Sequence, residues 1–214
     1  MFIQECLTTV ENLATVRPND TITYALQIMK DKNLNSLPVV DQDGSFYGTV
    51  SKSSIFELLE DGKFVGDFAA FVNLPLAEGV DHQIPRLTID HLYEDLLPVI
   101  VRYPFVPIVD ESEQFLGIIK RKDIELILES VFGIGVKGTR MVITHYEGKG
   151  VMKEIVTILG KHDTNVISCV SFDSEHHGVR RILMKFTSTD SADQIKADLE
   201  KHGYVVTSVR ENYE

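Results

Sequence analysis

Leu37-Pro38-Val39-Val40-Asp41, continued by Gly48-Thr49-Val50-Ser51-Lys52-Ser53-Ser54-Ile55, returns later in the chain. The second copy is Val106-Pro107-Ile108-Val109-Asp110 and Gly117-Ile118-Ile119-Lys120-Arg121-Lys122-Asp123-Ile124. The offset is a constant 69 residues (Pro38 to Pro107, Gly48 to Gly117), and Val40/Val109, Asp41/Asp110, Phe46/Phe115 and Ile55/Ile124 keep step with it. An internal repeat fixes architecture before any local reading does. Two copies are too few for a solenoid, so the repeat predicts one pseudo-symmetric domain with a cleft between related halves.

Each copy reads as helix, strand, turn, strand, helix. In the first, Asp20-Thr21 precedes Ile22, Leu26 and Met29 at helical spacing, and either residue can serve as the N-cap. Residues 37–40 form a short apolar strand entered by Pro38, 41–44 a turn, 46–50 a second strand and 51–60 a helix ended by Asp61-Gly62. The second copy predicts a helix over 90–101, strands over 106–109 and 115–119, and a helix over 121–131. Pro98 lies inside the first of these and predicts a kink or an early end. Between the copies, residues 63–74 carry Phe64, Phe68, Phe71 and Val72 and predict an added helix that Pro75 to Gly79 would end.

Gly133, Gly135 and Gly138 then mark a linker. Beyond it the order is strand (140–144), helix (150–161), a hairpin of strands (166–172 and 180–187), helix (191–202) and strand (204–209). This is the βαββαβ split arrangement of ferredoxin-like folds. The fold class is therefore α+β. The divisions are a first repeat at 1–62, a linker at 63–80, a second repeat at 81–132, a glycine-rich linker at 133–138 and a C-terminal domain at 139–210.

Composition narrows the functional classes. The 214 residues carry a formal net charge of −11, which argues against nucleic acid or an anionic membrane as the main partner. Cys6 and Cys169 stand alone, so a disulfide framework is not expected and a reducing compartment, the cytoplasm, is the default. The N-terminus lacks a basic segment before an apolar run and does not read as a signal peptide, and no apolar stretch approaches the ~18–20 residues that span a bilayer. His176-His177 sits in a hairpin loop with Asp173 and Glu175 and reads as solvated rather than metal-binding; no metal is expected. No nucleophile elbow, Walker loop or Ser/His/Asp pattern appears, and Gly133-x-Gly135-x-x-Gly138 follows a helix rather than a strand.

Chemistry gathers at two strand-to-helix junctions, Gly48-x-x-Ser51-x-x-Ser54 and Gly117-x-x-Lys120-x-x-Asp123. The glycine admits a close backbone approach. The helix start presents unpaired N–H groups and the positive end of its dipole, an arrangement suited to a phosphate. Ser51 can equally be a simple N-cap, and Asp123 a first-turn acid that complements the dipole. Lys120-Arg121-Lys122 opposes that dipole and so calls for an offsetting anion, or else is a solvated helix start beside Glu111 and Glu113. Tyr103 and Phe105 precede the strand proline and are either stacking surfaces or ordinary core aromatics.

Through Asp20-Thr21-Ile22, Ser36-Leu37-Pro38-Val39-Val40-Asp41, Gly48-Thr49-Val50-Ser51, Val106-Pro107-Ile108-Val109-Asp110 and Gly117-Ile118-Ile119, residues 1–132 resemble a tandem pair of cystathionine-β-synthase (CBS) domains, a Bateman module. The resemblance implies clefts for an adenine nucleotide: AMP, ATP, S-adenosylmethionine or cyclic di-AMP. It implies that the hydroxyl and the Asp of a Gly-x-x-Ser/Thr-x-x-Asp motif contact phosphate and ribose, and that adenine packs beside the residues preceding each strand proline. Those residues are Ser36 and Leu37 in one copy and Phe105 and Val106 in the other. The chain departs from the motif twice, with Ser54 in place of Asp and Lys120 in place of the hydroxyl. Ser51 is then the better phosphate ligand and Asp123 the better ribose ligand, with Tyr103, Lys120 and Arg121 beside them.

Residues 139–210 resemble an ACT domain, through the element order, the turn Gly148-Lys149-Gly150-Val151 and Asn165-Val166-Ile167. That resemblance implies an amino-acid site near Gly148, Gly150, Asn165 and Ile167 at a dimer interface. The usual Asp-x-Pro-Gly turn is here His145-Tyr146-Glu147-Gly148-Lys149-Gly150.

Together the two resemblances imply a non-enzymatic regulatory protein. It would sense an adenine nucleotide, need no cofactor, form a homodimer and act through an unknown protein partner or through its own assembly. It is similar to cyclic-di-AMP-binding CBS proteins of Gram-positive bacteria and to acetoin-utilisation-type CBS/ACT proteins, and the basic run favours the first. An amino-acid sensor on a CBS scaffold is the alternative. An enzyme is a third class, which turnover of a bound nucleotide would reveal.

Overall fold

The computed structural model describes residues 3–60, 64 and 66–213. They divide into two compact units, Met1–Ile124 and Glu125–Glu214. In the first unit a 3-10 turn (Ile3–Cys6) leads into β1 (Thr8–Thr9). Next come α1 (Ile22–Asp31), β2 (Ser36–Val40), β3 (Phe46–Ser51), α2 (Lys52–Glu60), the one-turn α3 (Phe68–Phe71) and a 3-10 turn (Leu76–Gly79). β4 (Leu87–Thr88), a 3-10 turn (Tyr93–Leu96), α4 (Leu97–Ile100), β5 (Phe105–Val109), β6 (Phe115–Lys120) and α5 (Arg121–Phe132) complete it, α5 running past the division.

The repeat survives as geometry. β2 pairs β3 with Leu37 opposite Val50, Val39 opposite Gly48 and Val40 opposite Phe46. β5 pairs β6 with Val106 opposite Ile119, Ile108 opposite Gly117 and Val109 opposite Phe115. The register and its irregularity recur residue for residue. On one side each hairpin gains a parallel neighbour, Val16 beside Val39 and β4 beside β5. On the other side each gains a crossing segment. β1 pairs antiparallel with β6, and Asp81 exchanges both backbone hydrogen bonds with Thr49, at 3.0 and 2.8 Å. Gly48 and Gly117 make these approaches possible. A Cβ at Gly48 would meet the Asp81 carbonyl oxygen and Val80, and one at Gly117 the Thr8 carbonyl oxygen. The hairpin turns meet each other as well, where the Phe115 N–H donates to the Gly44 carbonyl and the Phe46 and Phe115 rings stack with centroids 5.3 Å apart.

Local chemistry explains the helices. Thr21 caps α1 by accepting from the Tyr24 N–H at 3.2 Å, and Ile22, Ala25 and Met29 bury one face of it. The next donors, the N–H groups of Ile22 and Thr23, go to the carbonyls of Leu74 and Val72. Leu37, Val39, Val50 and Ile55 complete that core, and each full burial of such a side chain stabilises by about 1.5–3 kcal/mol.

Two expectations are corrected. The helix over 90–101 is a 3-10 turn followed by the four-residue α4. Pro98 occupies its first turn, where a missing N–H leaves no bond unmade, so it introduces no kink. The added helix between the copies shrinks to α3, capped where the Ala70 N–H donates to Asp67 at 2.8 Å. The expected helix end at Asp61-Gly62 and the start of the added helix at Lys63 lie outside the described residues.

The second unit runs β7 (Gly138–Tyr146), α6 (Val151–Gly160), β8 (Asn165–Asp173), β9 (Val179–Thr187), α7 (Ala192–Lys201) and β10 (Val205–Tyr213). Its sheet order is β10-β7-β9-β8, antiparallel throughout, which is the ferredoxin-like arrangement. Met141, Ile143, Ile182 and Met184 pack against Ile155, Ile158, Ile195 and Leu199 of the two helices. Ser191 and Gln194 form a capping box at the start of α7. Lys185 is fully buried. Its amine donates to the Gly133 carbonyl at 2.7 Å and lies 5.1 Å from the centroid of the Tyr213 ring.

Candidate functional site

In the first unit a cleft of about 370 Å³ opens where β3 passes into α2. Ser51, Ser53, Ser54 and Glu57 come from that junction, and Asn35 and Ser36 from the entry to β2. The second repeat contributes Arg102, Tyr103 and Pro104 from the chain before β5, and Arg121 from the start of α5. Thr49 and Asp81 close the wall where the crossing segment meets β3.

Each wall is held by specific bonds. Ser51 Oγ accepts from the Ser54 N–H at 2.9 Å, and Ser54 Oγ accepts from the Ser51 N–H at 2.9 Å, a reciprocal cap of α2. The Lys52 amine donates to Asn35 Oδ1 at 3.1 Å. Arg121 Nη2 donates to the carbonyls of Ile100 and Tyr103, both at 3.1 Å, which fixes the guanidinium against the end of α4. The Tyr103 hydroxyl donates to the Gln83 carbonyl at 3.3 Å. Thr49 is only 5% exposed, and its hydroxyl oxygen is buried with no hydrogen-bond partner among the described residues. An unpaired buried hydroxyl in a cleft wall is free to bond a polar group that enters the cleft. Two guanidinium groups, two carboxylates and five serine and threonine hydroxyls therefore surround a space lined on one side by an aromatic ring.

The residues singled out from sequence separate into groups. Ser36, Ser51, Ser54, Tyr103 and Arg121 line the cleft together. Leu37, Phe105 and Val106 are core residues, none more than 4% exposed. Lys120 is exposed at the end of β6, outside the lining, so the basic run Lys120-Arg121-Lys122 sends only Arg121 into the cleft. The Asp123 carboxylate accepts from the Lys120 N–H at 3.3 Å and stands near Cys6 and Tyr93. Burial, then Asp123, then Glu5 raise the Cys6 thiol. Burial, with Cys6 and Asp123 behind it, lifts the Tyr93 hydroxyl to about 12. Thr49, Asp81, Arg102 and Glu57 were missed. Thr49 carried a signal, as a polar residue at the strand position where the other copy has Ile118. Asp81 carried none at the 69-residue offset, because it reaches the cleft from the crossing segment, outside the repeated hairpins.

In the second unit a concavity of about 350 Å³ is lined by His145, Glu147, Gly148, Val151, Met152, Ser171, Arg180 and Ile182. His145 Nε2 and Arg180 Nε are buried without a hydrogen-bond partner among the described residues. Gly148 lies in this lining. Gly150 is the N-cap of α6, Asn165 is exposed at the start of β8, and Ile167 packs near Gly138. Among the described residues no His, Cys, Asp and Glu group is placed to hold a metal ion, and no helix is long and apolar enough to cross a membrane.

In comparison with known proteins, residues 5–61 match the CBS domain family. Over 115 residues, 54% of its length, the chain is 25% identical to inosine-5′-monophosphate dehydrogenase of Methanocaldococcus jannaschii. Over 122 residues, 56% of its length, it is 26% identical to the glycine betaine/carnitine/choline transport ATP-binding protein OpuCA of Bacillus subtilis. The aligned regions span only 21% and 29% of those relatives. Its fold is similar to that of CbpB in complex with c-di-AMP, with a TM-score of 0.54 at 22% identity over 61% of this chain and 85% of that one. Listeria monocytogenes CbpB in complex with c-di-AMP gives 0.52 at 20% identity, over 59% and 94%. CBSX2 in complex with AMP gives 0.51 at 21% identity, over 59% and 95%. The likeness to these structures is one of fold.

Proposed function

We propose that this protein is a non-catalytic regulator whose first unit, a tandem CBS pair, senses an adenine nucleotide (cyclic di-AMP, AMP or ATP) and signals through a protein partner or through its own assembly as a homodimer. The observation that carries the reading is the β3–α2 cleft, which joins a helix start, two arginines and the unpartnered buried hydroxyl of Thr49. Arg121 and Arg102 supply charge for phosphate, Ser51 and Ser53 supply hydroxyls at the helix start, and Tyr103 with Pro104 offers a flat face to a base. The CBS match over 5–61, and the c-di-AMP and AMP complexes among proteins of like fold, support the choice of ligand.

The second unit reads as an ACT domain, and one observation favours an amino acid there. His145 and Arg180 line the concavity with Glu147, and His145 Nε2 and Arg180 Nε are buried without a partner among the described residues; Arg180, which already pairs with Glu147 at 3.6 Å and Asp173 at 3.3 Å, is the group that the carboxylate of an amino acid would meet. A thermal-shift panel separates the two readings. A nucleotide at a hundred times its Kd stabilises the fold by ~2.7 kcal/mol. Stabilisation by AMP, ATP or cyclic di-AMP, with the nucleotide recovered unchanged afterwards, is the expected result. Stabilisation by amino acids alone would transfer the sensing role to the ACT unit, and a turned-over nucleotide would make the protein an enzyme.

A further inference from the structure

We infer that Asp81 is the ribose-binding residue of the β3–α2 cleft and makes the cleft selective for ribonucleotides over deoxyribonucleotides; this rests on the nucleotide reading above. The argument begins with a second internal equivalence, outside the 69-residue repeat. The 3-10 turns Ile3–Cys6 and Leu76–Gly79 each open on a fully buried apolar residue, Ile3 and Leu76. Each is followed two residues later by a residue that pairs with the same position of a repeat hairpin: Thr8 with Ile118, and Asp81 with Thr49. Thr8 and Asp81 are thus counterparts, as are Ser54 and Asp123. One repeat carries its acid on the helix and a hydroxyl on the crossing segment. The other carries a hydroxyl on the helix and its acid on the crossing segment.

Position and chemistry agree with that exchange. Asp81 and Thr49 form a hydrogen-bonded antiparallel pair, so their side chains stand on one face. Both line the cleft. Asp81 Oδ1 accepts from the Gln83 N–H at 2.8 Å, which holds the carboxylate in place with its second oxygen to offer. Ser54 is committed to its own helix, accepting from the Ser51 N–H and donating to the Ser51 carbonyl at 3.1 Å. An ionised carboxylate only accepts, and the two neighbouring hydroxyls of a ribose are donors to match. The carboxylate also repels phosphate, which orients the nucleotide with its sugar at Asp81 and its anionic end toward Arg121 and Arg102. A ligand without those hydroxyls leaves the buried Thr49 hydroxyl and the Asp81 carboxylate unpaired, and a site built for a hydroxyl rejects such an analogue strongly.

The test is titration calorimetry of the full chain with AMP and with 2′,3′-dideoxy-AMP. The wild type binds AMP tighter by about tenfold or more, the factor that ~1.4 kcal/mol represents. Asp81→Asn, which keeps the Oδ1 acceptor for Gln83, removes the discrimination and brings the two affinities within about twofold of each other. Equal affinity of the wild type for both ligands overturns the inference without any variant. So does an Asp81→Asn protein that keeps the wild-type ratio. Absence of binding by either ligand, and by cyclic di-AMP and ATP, overturns the nucleotide reading itself, a different result from binding without discrimination.

Discussion

The Tyr204 hydroxyl is lifted to about 12, first by burial and then by Glu154, which accepts its hydrogen bond at 2.7 Å and adds a negative charge. Tyr93 reaches the same value in the other unit. A raised folded-state value means that the unfolded chain loses the proton first. The associated stability is fully present below pH ~10 and is lost as the pH rises toward ~12. Urea unfolding should therefore show a flat profile through neutral pH and a fall above pH ~10, on the order of 2 kcal/mol per tyrosine. Tyr204→Phe should flatten that fall for the second unit; an unchanged alkaline slope would count against the environment described. The sequence predicts Tyr204 as the first residue of the last strand and carries no hint of Glu154, 50 residues away. Phe105 shows the same division: an aromatic before the strand proline was visible, and only packing made it core while Tyr103 faces the cleft.

At the scale of elements, the repeat hairpins are completed by segments that come from outside them. Gly48 and Gly117 are where those segments touch, so a methyl group strikes the Thr8 backbone at Gly117 and both the Val80 side chain and the Asp81 carbonyl at Gly48. Gly48→Ala and Gly117→Ala should each destabilise the first unit by about 1–3 kcal/mol in urea unfolding. The two should differ in binding. Gly48→Ala displaces Asp81 and should weaken AMP, whereas Gly117→Ala displaces Thr8 and should leave AMP affinity nearly unchanged. Equal losses of affinity would separate Asp81 from the ligand. The helix patterns and strand pairs of both repeats were legible, because side-chain period and capping are local properties. The 90–101 segment departs from its pattern for a related reason. Its apolar pattern suits one long helix, but Tyr93, Leu96, Val99 and Ile100 are buried through a 3-10 turn joined to a single α turn.

For the whole molecule, the proposed homodimer follows from apolar surface. Within the second unit Leu126, Val131 and Phe132 of α5 are exposed, Leu126 by 54%. A net charge of −11 disfavours non-specific association, so coverage of these residues calls for a shaped partner, and a second copy satisfies that need. Light scattering at micromolar concentration should give twice the chain mass of 24.1 kDa; a monomer would refute it.

The sequence by itself determined the repeat, its register, the strand-to-helix junctions and the order of the C-terminal elements, since all of these are written in spacing and local preference. The sheet order β10-β7-β9-β8, the crossing segments and the membership of the cleft were decided only by tertiary structure. Lys120, Arg121 and Lys122 are neighbours in sequence, yet only Arg121 reaches the cleft, while Asp81 and Thr49, 32 residues apart, stand side by side in its wall. A cleft is made of surfaces that distant segments bring together, and the pairing that brings Asp81 to Thr49 depends on the whole first unit being packed.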